Sequence, residues 1–397
     1  MEPPAPPELP APSDFDEPVS PMDIQIHGFV SQGGFVSTAN DYIGKSSRGS
    51  LELFEAGLNV SAAPIDRLRV GVQIFAHDEG AIGSYTPRID WAFLDYRLRP
   101  WLGIRAGHTK IPFGLYNEYL DIDSGRLQIL PPQSVYPLTN RDVLVAQTGF
   151  LVYGSVPLAA AGELEYSAYG GTLALDVPGD GAGSTGPKAY AVDSKYVFGG
   201  QAFWRPPVEG LRVGASLLRA SFDTYLQFDA ATTAALIALG LAPAGFDGKV
   251  IFALRPANLW VASVEYSEGD WLFAAEYSRW FARTPVEPAV LKIPNTLSER
   301  FYGMVTYRVS DRLETGAYYS VHNADVRHRD GRDPKFAHRH QAFQRDAAAT
   351  VRLNINEYWS SKLEAHIIDG AAGLDAASNP DPERYWWLFL AKMTVAF

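Results

Sequence analysis

Cysteine and long apolar runs are both missing from this chain of 397 residues. Without thiols the chain can form neither a disulfide framework nor a thiolate metal site, and it has no cysteine nucleophile. A transmembrane helix needs about 18 to 20 consecutive apolar residues, and the most apolar window, residues 230–244, is too short and rich in alanine. No secretory signal follows Met1, so an exported protein is expected here in its mature form.

Motifs that build common catalytic sites are missing as well. The sequence contains no Gly-x-Ser-x-Gly elbow and no His-Glu-x-x-His pair, and the glycine-rich residues 179–184 are predicted to form a loop tip rather than a phosphate-binding loop. We therefore predict no enzymatic activity, no cofactor and no metal, and we interpret His338 and His340 as loop residues. The formal net charge of -11 argues against nucleic acid as a partner.

The chain does contain stretches in which apolar residues occupy every second position. The pattern is clearest in its last thirteen residues, 385–397. Every second side chain from Tyr385 to Phe397 is apolar, and aromatic residues stand at both ends of that face. A period of two is typical of a β-strand. An apolar face with terminal aromatic residues is typical of a strand that faces lipid. For this stretch alone, a buried strand of a soluble sheet is the alternative.

The same alternation recurs along the chain after a proline-rich beginning. The first 22 residues contain eight prolines, so we predict a disordered periplasmic tail at residues 1–23 and a transmembrane barrel domain at residues 24–397. Sixteen strands are predicted, at residues 24–36, 50–62, 67–77, 89–98, 102–110, 143–153, 163–172, 196–205, 211–222, 257–267, 271–282, 299–309, 312–322, 345–354, 359–368 and 385–397.

Short turns and long segments alternate between these predicted strands. The short ones include residues 99–101 and 310–311, and the long ones include residues 111–142, 223–256 and 323–344. Outer-membrane barrels have short periplasmic turns, long external loops and an even number of strands, whereas soluble sandwiches and propellers have no reason to separate loops by length. The sequence therefore predicts an all-β fold, a 16-stranded antiparallel transmembrane β-barrel with both termini on the periplasmic side.

The third external loop, at about residues 111–142, differs from the other long segments. Polar side chains on one face of nearly every predicted strand indicate a wet interior, and sixteen strands leave an aqueous channel. This loop, in contrast, carries many apolar residues, among them Leu120, Ile129 and Tyr136, and is too apolar to stay solvated. We predict that it folds inward and constricts the pore. A lid over the barrel or a contact with a neighbouring subunit is the alternative.

Residues 107–114, which end a predicted strand and begin this loop, read Gly-His-Thr-Lys-Ile-Pro-Phe-Gly. They resemble the Gly-x-x-Lys-x-Pro-Phe-Gly stretch of the phosphate-selective porin family and related substrate-specific porins, and residues 264–271 and 275–279 resemble hairpins of that family. The resemblance implies a sixteen-stranded, usually trimeric diffusion channel with an inward third loop. Phosphate-binding members stack lysine and arginine along the pore, whereas this loop is rich in acidic residues, so phosphate selectivity is not carried over.

Charged residues on the predicted inward faces and in the third loop are the candidates for the pore lining. They are Arg69, Arg97, Arg105, Lys110, Glu118, Asp121, Asp123, Arg126, Arg141, Arg352, Lys362 and Lys392. We hypothesise that the first three arginines, with Lys110, face Glu118, Asp121 and Asp123 across the constriction. The resulting transverse field would favour charged or dipolar solutes. Local pairing of these charges is the alternative.

These observations together predict a porin in the outer membrane of a Gram-negative bacterium. We expect a passive channel for small hydrophilic solutes, including ions, with some preference for small anions, and a homotrimer in contact with outer-membrane lipid. The basic residues of the loop at 323–344 could attract anions, contact lipopolysaccharide phosphates or stay solvated. The alternative function is a plugged barrel that acts as a scaffold or adhesin, with the proline-rich tail binding a partner.

Overall fold

The computed structural model describes residues 24–80, 82–175, 187–288 and 293–397. The predicted tail at residues 1–23 and the predicted loop tip at residues 179–184 lie outside these ranges. The described residues form one sheet of seventeen strands. One of these is the two-residue strand Val286–Glu287, which pairs with the strand Lys249–Glu268, so sixteen strands build the wall.

The sixteen wall strands confirm the predicted number and order. They are β1 (Ile24–Ser37), β2 (Ser50–Ile65), β3 (Leu68–Asp78), β4 (Arg88–Arg99), β5 (Leu102–Lys110), β6 (Ala146–Pro157), β7 (Glu163–Thr172), β8 (Lys188–Arg205), β9 (Leu211–Gln227), β10 (Lys249–Glu268), β11 (Trp271–Ala282), β12 (Thr296–Ser310), β13 (Leu313–Asn323), β14 (Phe343–Asn354), β15 (Trp359–Gly370) and β16 (Tyr385–Ala396).

The sheet closes because its first and last strands pair. Each strand is antiparallel to the next in sequence, and β1 then pairs with β16 from Phe29 opposite Ala396 to Ser37 opposite Leu388. Closure removes the two free edges that an open sheet would expose. The fold is therefore a closed antiparallel barrel, as the alternation of the sequence predicts.

Helices are few and short, and they lie in the connections. The α-helices are Ala230–Ala238, whose N-terminus is capped by the Asp229 side chain, and Arg141–Leu144. The 3-10 turns are Ser46–Arg48, Asn117–Tyr119, Asp123–Gly125, Leu138–Asn140, Ala159–Ala161 and Arg339–Ala342. Within the described ranges, no helix is both long enough and apolar enough to cross a membrane.

The last strand shows how the two faces of the wall differ. Its odd-numbered side chains are exposed, as at Trp387 (45% exposed) and Met393 (49%), whereas the even-numbered side chains from Trp386 to Thr394 are almost fully covered. In an antiparallel sheet with one solvated face this alternation would place polar residues outside. Here the exposed face is the apolar one, as a barrel surrounded by lipid requires.

Three strands are longer than the sequence predicts by five residues or more. β8 begins at Lys188 rather than at residue 196, β9 continues to Gln227, and β10 begins at Lys249 rather than at residue 257. The pairing of these strands shifts register between Ser194 and Tyr196 and between Leu254 and Ala257. A bulge inserts an extra residue and so breaks the period of two. The part of each strand beyond the bulge therefore does not continue the alternation of apolar and polar residues by which the strand was predicted.

Candidate functional site

The connection between β5 and β6, residues 111–145, is covered over most of its length, and we call it the β5–β6 segment. It begins with the Lys110–Gly114 turn and returns beside its own start, where the Ile111 amide donates to the Val145 carbonyl at 2.9 Å. Between these points Phe113 and Val135 are fully covered. A connection that is this buried must have partners for its backbone groups, and it finds them on the wall.

Two glycines make the start of the segment possible. Gly107 has φ of 131° and lies directly against the Ala92 carbonyl of β4. Gly114 has φ of 66°, and an added Cβ would collide with the Tyr136 hydroxyl. Only glycine adopts such backbone angles without strain and allows so close an approach. The glycines of the sequence motif are therefore explained by the sharp turn with which the segment leaves β5.

Glu276 of β11 is the principal anchor on one side of the segment. Its carboxylate accepts hydrogen bonds from the Leu115 amide at 2.9 Å, the Tyr302 hydroxyl at 2.9 Å and the Tyr136 hydroxyl. Its side chain is only 2% exposed. A buried carboxylate is stable only when hydrogen bonds replace its lost water, so this set of donors fixes the segment against β11 and β12.

Glu364 of β15 is a second anchor, on another part of the wall. It accepts from the consecutive amides of Ile129 and Leu130, each at 2.8 Å. The His366 ring lies 3.0 Å from the same carboxylate and also contacts Asp346 at 3.0 Å. Glu276 and Glu364 were not among the predicted site residues. Their signal in the sequence was a carboxylate on the covered face of a strand, which does not by itself show that a loop binds there.

Asp123 lies at the centre of a third, ionic anchor. Its carboxylate is 3.1 Å from the Lys362 ammonium of β15 and 3.0 Å from the Lys392 ammonium of β16. Thr394 adds a hydrogen bond at 2.6 Å, and Lys362 also donates to the Asp123 and Arg126 carbonyls at 2.6 and 2.8 Å. All three charged side chains are at most 2% exposed. We refer to Asp123, Lys362 and Lys392 as the buried ion triad.

Lys110, Asp121 and Arg141 form a fourth group, where the segment meets β4. Asp121 pairs with both cations, and Lys110 also lies 2.7 Å from Asp90 of β4. Burial alone would raise the pKa of Asp121, but the charges of Arg141 and Lys110 hold that pKa below its ordinary value. The carboxylate is therefore ionised and bound on both sides.

The hypothesis of a basic arc opposite the acidic loop is realised only in part. Lys110 does meet Asp121, but the close partners of Asp123 are Lys362 and Lys392 rather than Arg69, Arg97 or Arg105. Glu118 is half-buried; burial raises its pKa, and the positive charges of Arg105, Arg212 and Lys110 offset this only in part.

The remaining predicted wall cations pair locally. Arg105 binds Asp95 at 2.7 Å, Arg97 donates to the Pro100 carbonyl at 2.7 Å, Arg69 donates to Ser61 at 3.1 Å, and Arg352 donates to Asn354 at 2.9 Å. These partners lie on the same or neighbouring strands, because side chains directly or diagonally opposite on a sheet are within reach. The contact of Arg105 with Asp95 is an ion pair, as the alternative of local charge pairing expects, and the other three are hydrogen bonds to neutral groups.

Arg126 is a predicted site residue whose guanidinium is incompletely hydrogen-bonded. Its guanidinium is 3.7 Å from Glu55, and its buried Nε atom has no hydrogen-bond partner among the described residues. It borders a cavity of about 20 Å³, room for about one water molecule, which is also lined by Glu79, Gln133 and Arg141. Since that Nε atom is covered, an acceptor on a passing solute can reach only the exposed 13% of the side chain.

The covered face of the wall is less uniformly polar than the sequence predicts. One apolar cluster joins Phe113, Leu115 and Tyr136 of the segment to side chains on β6 to β14, including Leu151, Val197 and Trp280. A second joins Ile129 and Leu130 to Leu53, Trp386 and Leu388. The expectation of a wet interior at nearly every strand was therefore wrong for this part, because apolar wall residues are covered by the apolar residues of the segment.

Basic residues of the connection at 324–342 pair with acids of the same connection and of β12. Asp325 pairs with Arg327 at 2.8 Å and with Lys335 at 2.5 Å, and Arg329 pairs with Glu299 of β12 at 2.5 Å. Among the described residues, no group of histidine and acidic side chains has the arrangement of a metal site. These contacts favour the interpretation of this region as a folded loop over that of a free cationic funnel.

Comparison with known proteins identifies the fold but no family. No family model matches this chain, and no curated protein matches it. Similar solved structures include OmpT of Vibrio cholerae, described as expressed in the outer membrane (10% identity, 96% of this chain and 100% of that chain, TM-score 0.56), OprB of Pseudomonas putida (12%, 94% and 94%, 0.54) and the outer membrane channel DcaP of Acinetobacter baumannii (14%, 95% and 98%, 0.52). At such low identity the similarity shows a shared barrel fold.

Proposed function

We propose that this barrel is a porin of the bacterial outer membrane, a passive channel for small hydrophilic solutes. The observation that carries the proposal is a closed wall of sixteen strands whose exposed face is apolar. A soluble barrel would expose this apolar face to water, whereas a barrel in a membrane places it against lipid. The solved outer-membrane channel of the same fold supports this function, and the resemblance of residues 107–114 to substrate-specific porins supports it further and suggests a homotrimer.

The β5–β6 segment is, in this proposal, the constriction. Its four anchors lie on β4, β11, β15 and β16, strands distributed around the barrel. A segment bound to separate parts of the inner wall must cross the lumen, so solutes would pass beside it. Arg126 and Arg141 of the segment, whose side chains are 13% and 14% exposed, are in this proposal the cations that solutes pass.

Stepwise ohmic currents are the expected result when the purified protein is inserted into a planar lipid bilayer. A plugged scaffold or adhesin, the competing function, is favoured by the two apolar clusters that join the segment to the wall. That function predicts insertion without conductance. The measurement is the single-channel current in potassium chloride as a function of voltage, with heat-dependent gel mobility as the control for folding. If the protein is folded and inserted but carries no current, the proposed channel function is contradicted.

Preference for small anions is proposed to depend on Arg126. We expect the Arg126→Gln variant to lower the permeability ratio of chloride over potassium about fivefold, because a unit charge about 4 Å from a passing ion contributes about 1 kcal/mol in water. The reversal potential in a salt gradient measures this ratio. The control is Arg312→Gln, which removes the same charge from the exposed turn between β12 and β13. Equal reversal potentials for wild type and Arg126→Gln would exclude this role.

A further inference from the structure

Two arginines lie on the outside of the wall, where β14 and β16 begin and β15 ends. Arg345 is opposite Asp369 in the pairing of β14 with β15, and Asp369 is opposite Tyr385 in the pairing of β15 with β16. Arg384 immediately precedes β16. The neighbours of Arg345 along its strand, Gln344 and Asp346, are covered, whereas Arg345 is exposed. The cluster therefore faces away from the lumen.

Aromatic rings and one carboxylate hold both guanidinium groups in place. Arg384 lies 2.7 Å from Asp369 and stacks over the Tyr385 ring at 4.6 Å. Arg345 lies 3.4 Å from the same carboxylate and 4.9 Å from the centre of the Phe343 ring. Two cations and one anion give these three charged side chains a net charge of +1. Stacking orients the guanidinium planes and leaves part of each group exposed.

The cluster is also at a defined height on the wall. The next outward side chains along β15 and β16 are apolar, Ile367 at 51% exposed and Trp387 at 45% exposed. Tyrosine and tryptophan mark the level at which the apolar interior of a membrane meets the head groups. The long connection at 371–384 lies beyond the cluster on the same end of the barrel, so the two arginines stand at the outer head-group level.

We propose that Arg345 and Arg384 form a binding site for the phosphate of an outer-leaflet glycolipid, with the acyl chains lying against Ile367 and Trp387. This inference rests on the proposed outer-membrane location. The outer leaflet there consists of phosphorylated glycolipid, and guanidinium groups bind phosphate through two parallel hydrogen bonds. The combination of an oriented cationic pair with an apolar surface directly below fits an amphiphile that carries phosphate on its head group. A free phosphate ion would contact only the two arginines and not the apolar side chains below them.

The test compares binding of diphosphorylated lipid A, dephosphorylated lipid A and inorganic phosphate to the detergent-solubilised full chain. We expect diphosphorylated lipid A to bind wild type at least tenfold more tightly than it binds the Arg345→Ala/Arg384→Ala variant, as measured by native mass spectrometry of the retained lipid. The control variant, Arg312→Ala, removes an exposed cation at the opposite end of the barrel and should retain wild-type binding. Heat-dependent gel mobility confirms that each variant is folded.

Three outcomes would overturn the proposal. Equal binding of diphosphorylated lipid A to wild type and the double variant would show that the arginines do not contribute. Equal binding of both lipid A forms to wild type would show that the lipid binds through apolar contacts and that its phosphates do not contribute. Binding of inorganic phosphate that the double variant loses, without a change in lipid binding, would assign the arginines to a free anion. Because both side chains face outward, channel conductance should be unchanged in the double variant, so failure here and failure of the proposed channel are separate results.

Discussion

Replacing Asp123 with alanine should lower the free energy of unfolding by about 3–5 kcal/mol, the cost of removing one partner from a buried ion pair. Lys362 and Lys392 are 1% and 2% exposed. Without the Asp123 carboxylate, Lys392 would retain Glu55 as its partner, whereas Lys362 would lose the carboxylate with which it pairs. The Thr394 hydroxyl would also lose its acceptor. The measurement is urea unfolding in lipid vesicles, followed by tryptophan fluorescence.

The matched control for this variant is Asp66→Ala. Asp66 is exposed in the short turn between β2 and β3, so the same change there should cost less than about 0.5 kcal/mol. A loss below about 1 kcal/mol for Asp123→Ala would mean that water reaches both lysines, and it would contradict the buried ion triad. The Asp123→Ala channel should also show noisier current, because the segment would have lost one of its anchors.

Removing the β5–β6 segment should raise the single-channel conductance several-fold. The expected cause is simple: with residues 114–142 replaced by a short glycine turn, the full cross-section of the lumen would carry ions. The ends of the deletion are compatible with a turn, because the Ile111 amide already donates to the Val145 carbonyl. Conductance in planar bilayers, with liposome swelling in sugars of increasing size, measures the result.

A deletion in another long connection provides the control. Removing residues 325–339, between β13 and β14, takes away Asp325 together with Arg327 and Lys335, which pair with it, and should leave the main conductance unchanged. If the deletion of residues 114–142 left both conductance and the size limit as in wild type, the conducting route would not pass the segment. The proposed constriction would then be wrong, although the barrel fold would stand.

The sequence predicted the wall well because β-strands in lipid obey a local rule. Each outward side chain must be apolar whatever its neighbours are, so alternation in residues 385–397 could be read without knowing what those residues touch. All sixteen strands and their order follow from this rule and from the length of the connections. The rule located some strand ends poorly, above all where bulges shift the pairing, as at Ser194 and Tyr196, which is why β8 begins earlier than predicted.

The candidate site could be predicted as a set of residues but not as a set of contacts. Lys110, Asp121 and Asp123 were selected because they are charged residues at the entry of, or within, the loop predicted to constrict the pore. Their partners depend on which strand the loop reaches. Asp123 and Lys392 are separated by most of the chain, and no local pattern relates them. The anchors Glu276 and Glu364 were missed for the same reason, since a covered carboxylate has the same sequence pattern whether it meets water or a backbone amide.

By itself, then, the sequence determined the secondary structure, the strand number and which face of each strand is apolar, because these properties depend on neighbours along the chain. The tertiary structure alone decided that the β5–β6 segment is bound at several points of the wall, that Lys362 and Lys392 share one carboxylate, and that Arg345 and Arg384 meet at Asp369. Those contacts arise only when the sheet closes, since closure brings distant residues of the chain within hydrogen-bonding distance.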